Sequence, residues 1–396
     1  MEKTILVYIQ IKNDNVLLGT VFVDNVRGKE AYSFAYSDNA LLNNYSNYII
    51  DEEIMFTKGR QFKSDSSIPY HFLEDSSPDR WGRNLIKRNA SQKNLQFSDY
   101  LLGVSDLTRM GALRYKLVAD GPFLGEDNNI PSLEYLNKFE KIAFSYDEFD
   151  TKKDWKLLLS PGSSLGGARP KATFYDSEGN YYLAKFNHKD DEYDISKIEY
   201  LTYKLAIKCG IEMSESKLIQ IDEKRSVFLT KRFDRNISER YHYVSFMTLL
   251  NARDGDSSNH TYLEAVESLL TRSDQPQQDL EQLFKRIAFS IIFHNYDNHL
   301  RNHGLLLTGG KWKLSPCFDI NIFPYNGQHA LTVDGNEMTI DNLLENSLFF
   351  RISRETANGI VEQIKIVAKT CLSDICQELK VNKTLTKRLK GLIIAK

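Results

Sequence analysis

Two carboxylates, an amide and an ammonium stand at spacings that suit phosphoryl transfer. In Asn295-Tyr296-Asp297-Asn298-His299-Leu300-Arg301-Asn302, Asp297 precedes Asn302 by five positions. That spacing pairs a carboxylate able to accept the proton of an acceptor hydroxyl with an amide able to coordinate magnesium. Asp319, in Cys317-Phe318-Asp319-Ile320, lies seventeen residues beyond Asn302 and offers a second metal carboxylate. Little covalent work falls to the protein in such chemistry, so ions that neutralise phosphate oxygens matter most. Lys185 is a lone cation in the apolar run Leu183-Ala184-Lys185-Phe186. An unpaired buried ammonium is costly, so it calls for an anionic partner, either a nucleotide phosphate or Glu199 on the next helix. Before it, Ser160-Pro161-Gly162-Ser163-Ser164-Leu165-Gly166-Gly167-Ala168-Arg169-Pro170-Lys171 supplies small residues that let backbone N–H groups approach phosphate oxygens, with Arg169 and Lys171 adding charge.

These residues need elements to hold them. Alternation from Ile5 to Val23 around Asn13-Asp14-Asn15 predicts a hairpin. A helix opens at Pro78-Asp79-Arg80-Trp81, another ends between Tyr100 and Val104, and Asp120 to Pro131 is a Gly-, Pro- and acid-rich linker. Ser132 to Phe144 reads as helix; Lys171–Tyr175 and Tyr181–Phe186 read as paired strands. The stripe Ile195, Ile198, Thr202, Leu205, Cys209 predicts a helix closed by Gly210, followed by strands over 217–221 and 227–231. Beyond about residue 240 the chain reads as helical, with a wide apolar face at Leu283, Phe284, Ile287, Ala288, Ile291 and Ile292 and one hairpin turning at Thr308-Gly309-Gly310. Gly-rich loop, strand lysine, helix glutamate, hinge, D-x-x-x-x-N and a further Asp therefore follow one another in the order of a kinase. The tail after Glu378 is basic, with Leu385, Leu389 and Leu392 along one side, which predicts a solvated final helix, with a partner or nucleic-acid contact as the alternative.

Composition narrows the class. The 396 residues are 41% apolar and 26% charged, enough for two or three domains or lobes. With 51 basic and 53 acidic side chains the formal charge is -2, which excludes a protein that coats nucleic acid. Four cysteines without C-x-x-C spacing argue for reduced thiols and against structural zinc. The opening residues lack a signal-peptide core, and no run approaches a membrane span; a soluble cytoplasmic protein is expected.

The motifs together resemble the HipA family, the bacterial toxin kinases of type II toxin–antitoxin modules. Leu165-Gly166-Gly167-Ala168-Arg169-Pro170-Lys171 resembles the family's phosphate loop, and Phe228 to Arg235, ending in Arg232-Phe233-Asp234-Arg235, its hinge. Asn295 to Asn302 is similar to its N-x-D-x-H-x-K-N segment and Leu314 to Ile320 to its metal-binding segment; Ser77 to Arg83 and Arg109 to Tyr115 resemble the amino-terminal subdomain. The resemblance implies an α+β, two-lobed protein-kinase-like fold with an added amino-terminal β-rich subdomain (1–120), a small lobe (121–236) and a mostly helical catalytic lobe (237–396). It also implies ATP and Mg2+ as cofactors, with Asp297 as catalytic aspartate and Asn302 and Asp319 as metal ligands. Lys185 would bind phosphate, supported by Glu199, and Phe233 and the Lys231 backbone would border adenine. Ser164, Gly166, Gly167, Ala168, Lys171, His299 and Arg301 complete the ATP set by likeness. Autophosphorylation would fall on Ser164, with Ser163 as rival; a phosphate there would be repelled by those of ATP.

Three positions depart from the family pattern: Arg301 replaces a lysine, Lys231 an acidic residue, and the phosphate loop reads G-G-A-R-P-K rather than A-G-A-Q-E-K. The implied partners are a small helix-turn-helix antitoxin (HipB-like), operator DNA through that antitoxin only, and a protein substrate such as an aminoacyl-tRNA synthetase, with no membrane. Two other readings compete. An antibiotic-type phosphotransferase shares D-x-x-x-x-N and would want an acidic groove, for which Asp190 to Asp194 is the one hint; a catalytically silent co-repressor would lack ATP binding.

Overall fold

Ile5, Val7 and Ile9 alternate with more exposed neighbours, and all three are fully buried, so one face of the first strand faces a core. The protein was analysed as a computed structural model that describes residues 2–48, 50–63, 65–90, 94–124, 130–144 and 169–393. It divides into two compact units, each made of two stretches: 1–189 with 231–244, and 190–230 with 245–396. The segment after the acidic linker is stitched into the first unit where the Tyr175 N–H donates to Pro131 O at 3.1 Å. The hinge motif also returns to that unit, as described below.

In the first unit, β1 (Lys3–Ile11), β2 (Asp14–Val26), β3 (Lys29–Tyr36), β4 (Gln61–Phe62) and β5 (Leu113–Lys116) form an antiparallel sheet in the order β4-β3-β2-β1-β5. The predicted first hairpin is present, with its turn at Lys12–Asn13, where Lys12 adopts φ +54°. Short helices α1 (Asp38–Leu42), α2 (His71–Asp75), α3 (Arg80–Asn89), α4 (Phe97–Leu102) and α5 (Leu136–Phe144) accompany it, with a hairpin of β6 (Lys171–Tyr175) and β7 (Tyr181–Lys185). Phe34, Tyr70 and Phe72 pack edge-to-face or tilted in the sheet's core.

Two motifs noted separately in the sequence lock together here. Asp234 accepts hydrogen bonds from Arg232 Nε at 2.8 Å and Nη2 at 2.6 Å, from Arg235 Nη2 at 3.2 Å and from the Gly111 N–H at 2.7 Å. Arg232 also donates to the carbonyls of Thr108 (2.7 Å) and Arg109 (3.0 Å), and Arg235 to that of Leu107 (2.5 Å). Arg109, fully buried, donates to the carbonyls of Ser76, Leu101 and Val104, which lie at or just beyond the carboxy ends of α2 and α4, where helix dipoles favour a cation. Asp106 binds Arg114 and Arg240, each at 2.6 Å. Buried guanidiniums are thus held by carbonyls as well as carboxylates, and the hinge is anchored to residues 106–111.

The second unit contains α6 (Ile195–Lys208), the hairpin of β8 (Ser216–Gln220) and β9 (Ser226–Lys231), α7 (Phe246–Leu249), α8 (Tyr262–Arg272), α9 (Pro276–Ile292), the hairpin of β10 (Gly304–Thr308) and β11 (Lys311–Leu314), α10 (Ile340–Glu345), α11 (Arg354–Glu378) and α12 (Lys383–Ile393). Asp194 caps α6 by accepting from the Lys197 N–H at 3.1 Å and also accepts from Ser226 Oγ at 2.7 Å, tying β9 to the helix. Gly309 and Gly310 both take positive φ, as the two-residue turn between β10 and β11 requires. The final helix is amphipathic as predicted; it buries Leu385, Leu389 and Ile393, with Leu392 half-buried. All four cysteines are free thiols. Among the described residues no helix is long and apolar enough to cross a membrane.

Candidate active site

The long buried face of α9 aims the Asn295–Asn302 segment. The helix ends at Ile292, and His294 adopts φ +58°, a left-handed conformation usually left to glycine. The Asn295 N–H then reaches back to Ser290 O at 3.0 Å. Ser290 Oγ accepts from the side-chain amides of Asn295 (3.2 Å) and Asn298 (3.1 Å), and Asn298 also donates to the Tyr262 hydroxyl. His303 donates from Nε2 to Asn298 Oδ1 at 2.8 Å. Burial, with the nearby Arg286 guanidinium, pushes His303 down to about 3, so the ring is neutral and its proton sits on Nε2. Ser257 Oγ receives the Leu300 N–H at 3.3 Å. The loop is therefore pinned at almost every step before any ligand arrives.

Within this frame Asn302 is buried and its Nδ2 donates to the Asp297 carbonyl at 3.1 Å. An amide whose nitrogen is committed presents its Oδ1 as a ligand. The Asp297 side chain is 70% exposed, with His299 Nε2 4.0 Å from its Oδ1. It opens on a cavity of about 310 Å3 whose lining includes Arg253, Asp254, Ser257, Arg301 and Ala330. Asp319 lies in the same unit, half-buried, with φ +55°. A non-glycine residue held there costs roughly 1–2 kcal/mol, the kind of strain that functional sites retain. Its segment is fastened on both sides: the Cys317 N–H donates to Glu212 O (2.8 Å), Asn321 N–H to Asn295 Oδ1 (3.3 Å) and Ile322 N–H to Thr202 Oγ1 on α6 (3.2 Å). The Asn302 oxygen and the Asp319 carboxylate are hard donors that suit Mg2+. Among the described residues no cluster of three or more His, Cys, Asp or Glu could hold a metal alone. These two oxygens would leave the rest of the coordination shell to phosphate and water.

Glu199 is buried on α6, three residues before Thr202. In the first unit Lys185 ends β7, half-buried, and Lys231 is likewise half-buried. Phe233 packs at 5.8 Å from Tyr243. Lys171 is buried, its ammonium paired with Asp79 at 2.7 Å while its carbonyl accepts from Trp81 Nε1 at 3.2 Å, so it clamps β6 to the start of α3. Ser163, Ser164, Gly166, Gly167 and Ala168 lie outside the described residues. Sequence reasoning missed Ser257 and Arg253, which carry no motif, and the fixing role of Ser290, Tyr262 and His303, which no local pattern signals.

Comparison with known proteins gives the family and the fold. The profile of the HipA-like C-terminal domain matches residues 163–372, more than half of the chain. The chain belongs to the HipA family. A chain from the Shewanella oneidensis MR-1 toxin–antitoxin complex of HipA, HipB and operator DNA superposes over 98% of this chain and 96% of its own, with a TM-score of 0.71 at 15% identity. That likeness establishes a HipA-like, kinase-like α+β fold. A Haemophilus influenzae protein, named as a candidate kinase, is 25% identical over 209 residues, 47% of this chain. The match covers 59% of that relative's length. HipA-family membership places Asn295–Asn302 and Cys317–Ile320 inside the matched domain.

Proposed function

We propose that this HipA-family chain is an ATP- and Mg2+-dependent kinase that phosphorylates serine or threonine hydroxyls of proteins. One observation carries the reading: Asn302 gives its amide nitrogen to the Asp297 carbonyl, which leaves its amide oxygen for a cation beside an exposed Asp297 carboxylate. Bound ATP and Mg2+ would supply the transferable phosphoryl group and the neutralising charge. Asp297 would hold the acceptor hydroxyl and take its proton as the hydroxyl oxygen bonds to the γ-phosphorus and the bond to ADP breaks. Asn302 and Asp319 would hold the metal. Lys185 would bind phosphate with Glu199 in support, Phe233 and Lys231 would border adenine, and His299 and Arg301 would contact nucleotide.

The cavity beside Asp297 favours a protein acceptor over a cationic drug. Arg253 and Arg301 face it together with Asp254 and Asp297, so it is not an acidic groove. Asp194, the end of the acidic run that hinted at a drug site, is engaged in capping α6 and binding Ser226. The finer reading adds a toxin role, autophosphorylation at Ser164 or Ser163, and a HipB-like antitoxin that brings the chain to operator DNA; a translation component such as an aminoacyl-tRNA synthetase is the proposed target. The HipA–HipB–DNA assembly of the Shewanella relative supports the partner. Incubation with γ-labelled ATP and Mg2+ beside Asp297→Asn tests the core claim. Label on the parent and at least ~100-fold less on the variant is expected; equal label would refute it.

A further inference from the structure

Three consecutive residues immediately before Asp297 grip the segment that follows Asp319. The His294 carbonyl accepts from the Phe323 N–H at 3.3 Å, Asn295 Oδ1 from the Asn321 N–H at 3.3 Å, and the Tyr296 carbonyl from the Ala330 N–H at 3.0 Å. The Tyr296 ring lies 4.9 Å from His329 and 6.2 Å from Phe323, and its hydroxyl is 2.7 Å from His294 Nδ1. Gly327 closes the clasp. A Cβ there would come within 2.9 Å of Tyr296 Cδ2, so only glycine allows the segment to lie flat on the ring. One side chain thus joins the left-handed turn at His294 to the stretch that begins at the left-handed Asp319.

We propose that Tyr296 is a positioning residue that fixes the Asp297 loop against the Asp319 segment. The proposal rests on the kinase reading for what these two carboxylates do. Two strained backbone positions need over-determination by their surroundings. The ring provides it by packing against a segment that the Phe323 and Ala330 N–H groups also tie to this loop. Displacement of a reacting group by about 1 Å can cost ~100-fold in rate, so a clasp of this kind acts on turnover more than on nucleotide affinity. The residue contributes no group to the reaction; it acts through the aspartates on either side.

The test uses the full-length chain and compares Tyr296→Ala, Tyr296→Phe, Gly327→Ala and the Tyr296→Ala/Gly327→Ala double variant. With γ-labelled ATP and Mg2+, Tyr296→Ala should lose ~100-fold in turnover while KM for ATP moves by less than about 3-fold. Tyr296→Phe, which keeps the ring, should restore most of the rate. Gly327→Ala should lower turnover, and the double variant should be no slower than Tyr296→Ala, because both act through one contact. Hydrogen exchange supplies a readout independent of activity: the Ala330 and Phe323 amides should exchange faster in Tyr296→Ala and stay protected in Tyr296→Phe. Tyr296→Ala with parental turnover, or with unchanged protection at both amides, overturns the proposal. A parent that transfers no label defeats the kinase reading instead, and the exchange data then decide the clasp alone.

Discussion

Replacing Asp234 with alanine should be among the most damaging single changes in the first unit. The carboxylate takes four hydrogen bonds, three of them from Arg232 and Arg235, whose side chains are 3% exposed. Burial pushes its carboxyl up, but Arg232, Arg235 and the Gly111 N–H hold it well below the usual carboxylate range. Removing one partner of a buried pair leaves uncompensated charge and costs about 3–5 kcal/mol. For a unit of this size, at roughly 2–4 °C per kcal/mol, the melting temperature should fall by about 6–20 °C. Asp234→Asn keeps an acceptor and should fall less. Calorimetry or denaturant melts followed by circular dichroism measure both. A depressed carboxyl stabilises the fold above its unfolded pKa and loses that contribution as pH falls, so parent and variant should converge in acid. A loss under about 1 kcal/mol at neutral pH would mean that the carbonyls of residues 107–109 already neutralise the guanidiniums, and the argument would fail.

Asp319→Asn should leave the melting temperature within a few degrees of the parent yet cut label transfer by at least ~100-fold, measured as Mg2+-dependent incorporation. His303→Gln should flatten the acid branch of the stability curve. A histidine lowered to about 3 contributes stability that is complete above its unfolded value and lost below it, about 2 kcal/mol by pH 5 in the parent. Asp51, raised to about 6 by burial, acts in the opposite sense, so the difference between parent and variant is the quantity to follow in denaturant melts. Lys171→Met should destabilise the first unit by several kcal/mol by stranding Asp79, while ATP affinity measured by calorimetry changes little.

The candidate site could be read from the sequence because kinase-type chemistry needs few residue types at set intervals. Asp297, Asn302 and Asp319 could be named from spacing, and the hairpins and the α9 stripe from periods of 2 and 3.6. The pairing of Lys171 with Asp79, ninety-two residues away, could not be read from the sequence, because a lysine after a glycine-rich loop looks the same whatever it meets. Composition marks linkers such as residues 120–131, but no local signal marks the return of residues 231–244 to the first unit.

Sequence alone suggested a kinase-type reaction, pointed to the family and marked the hairpins at 5–23 and 304–314 and the helices at 195–209 and 283–292, since each depends on local propensity or on residues close along the chain; β3, β5, α8, α10 and α11 gave no separate signal. Tertiary structure decided which charges are engaged in packing, that Arg232-Phe233-Asp234-Arg235 anchors to residues 106–111, and that the Tyr296 ring packs against Phe323 and His329 of the segment after Asp319. Those outcomes depend on contacts between residues tens to more than a hundred positions apart, and no local pattern encodes which distant group a side chain meets.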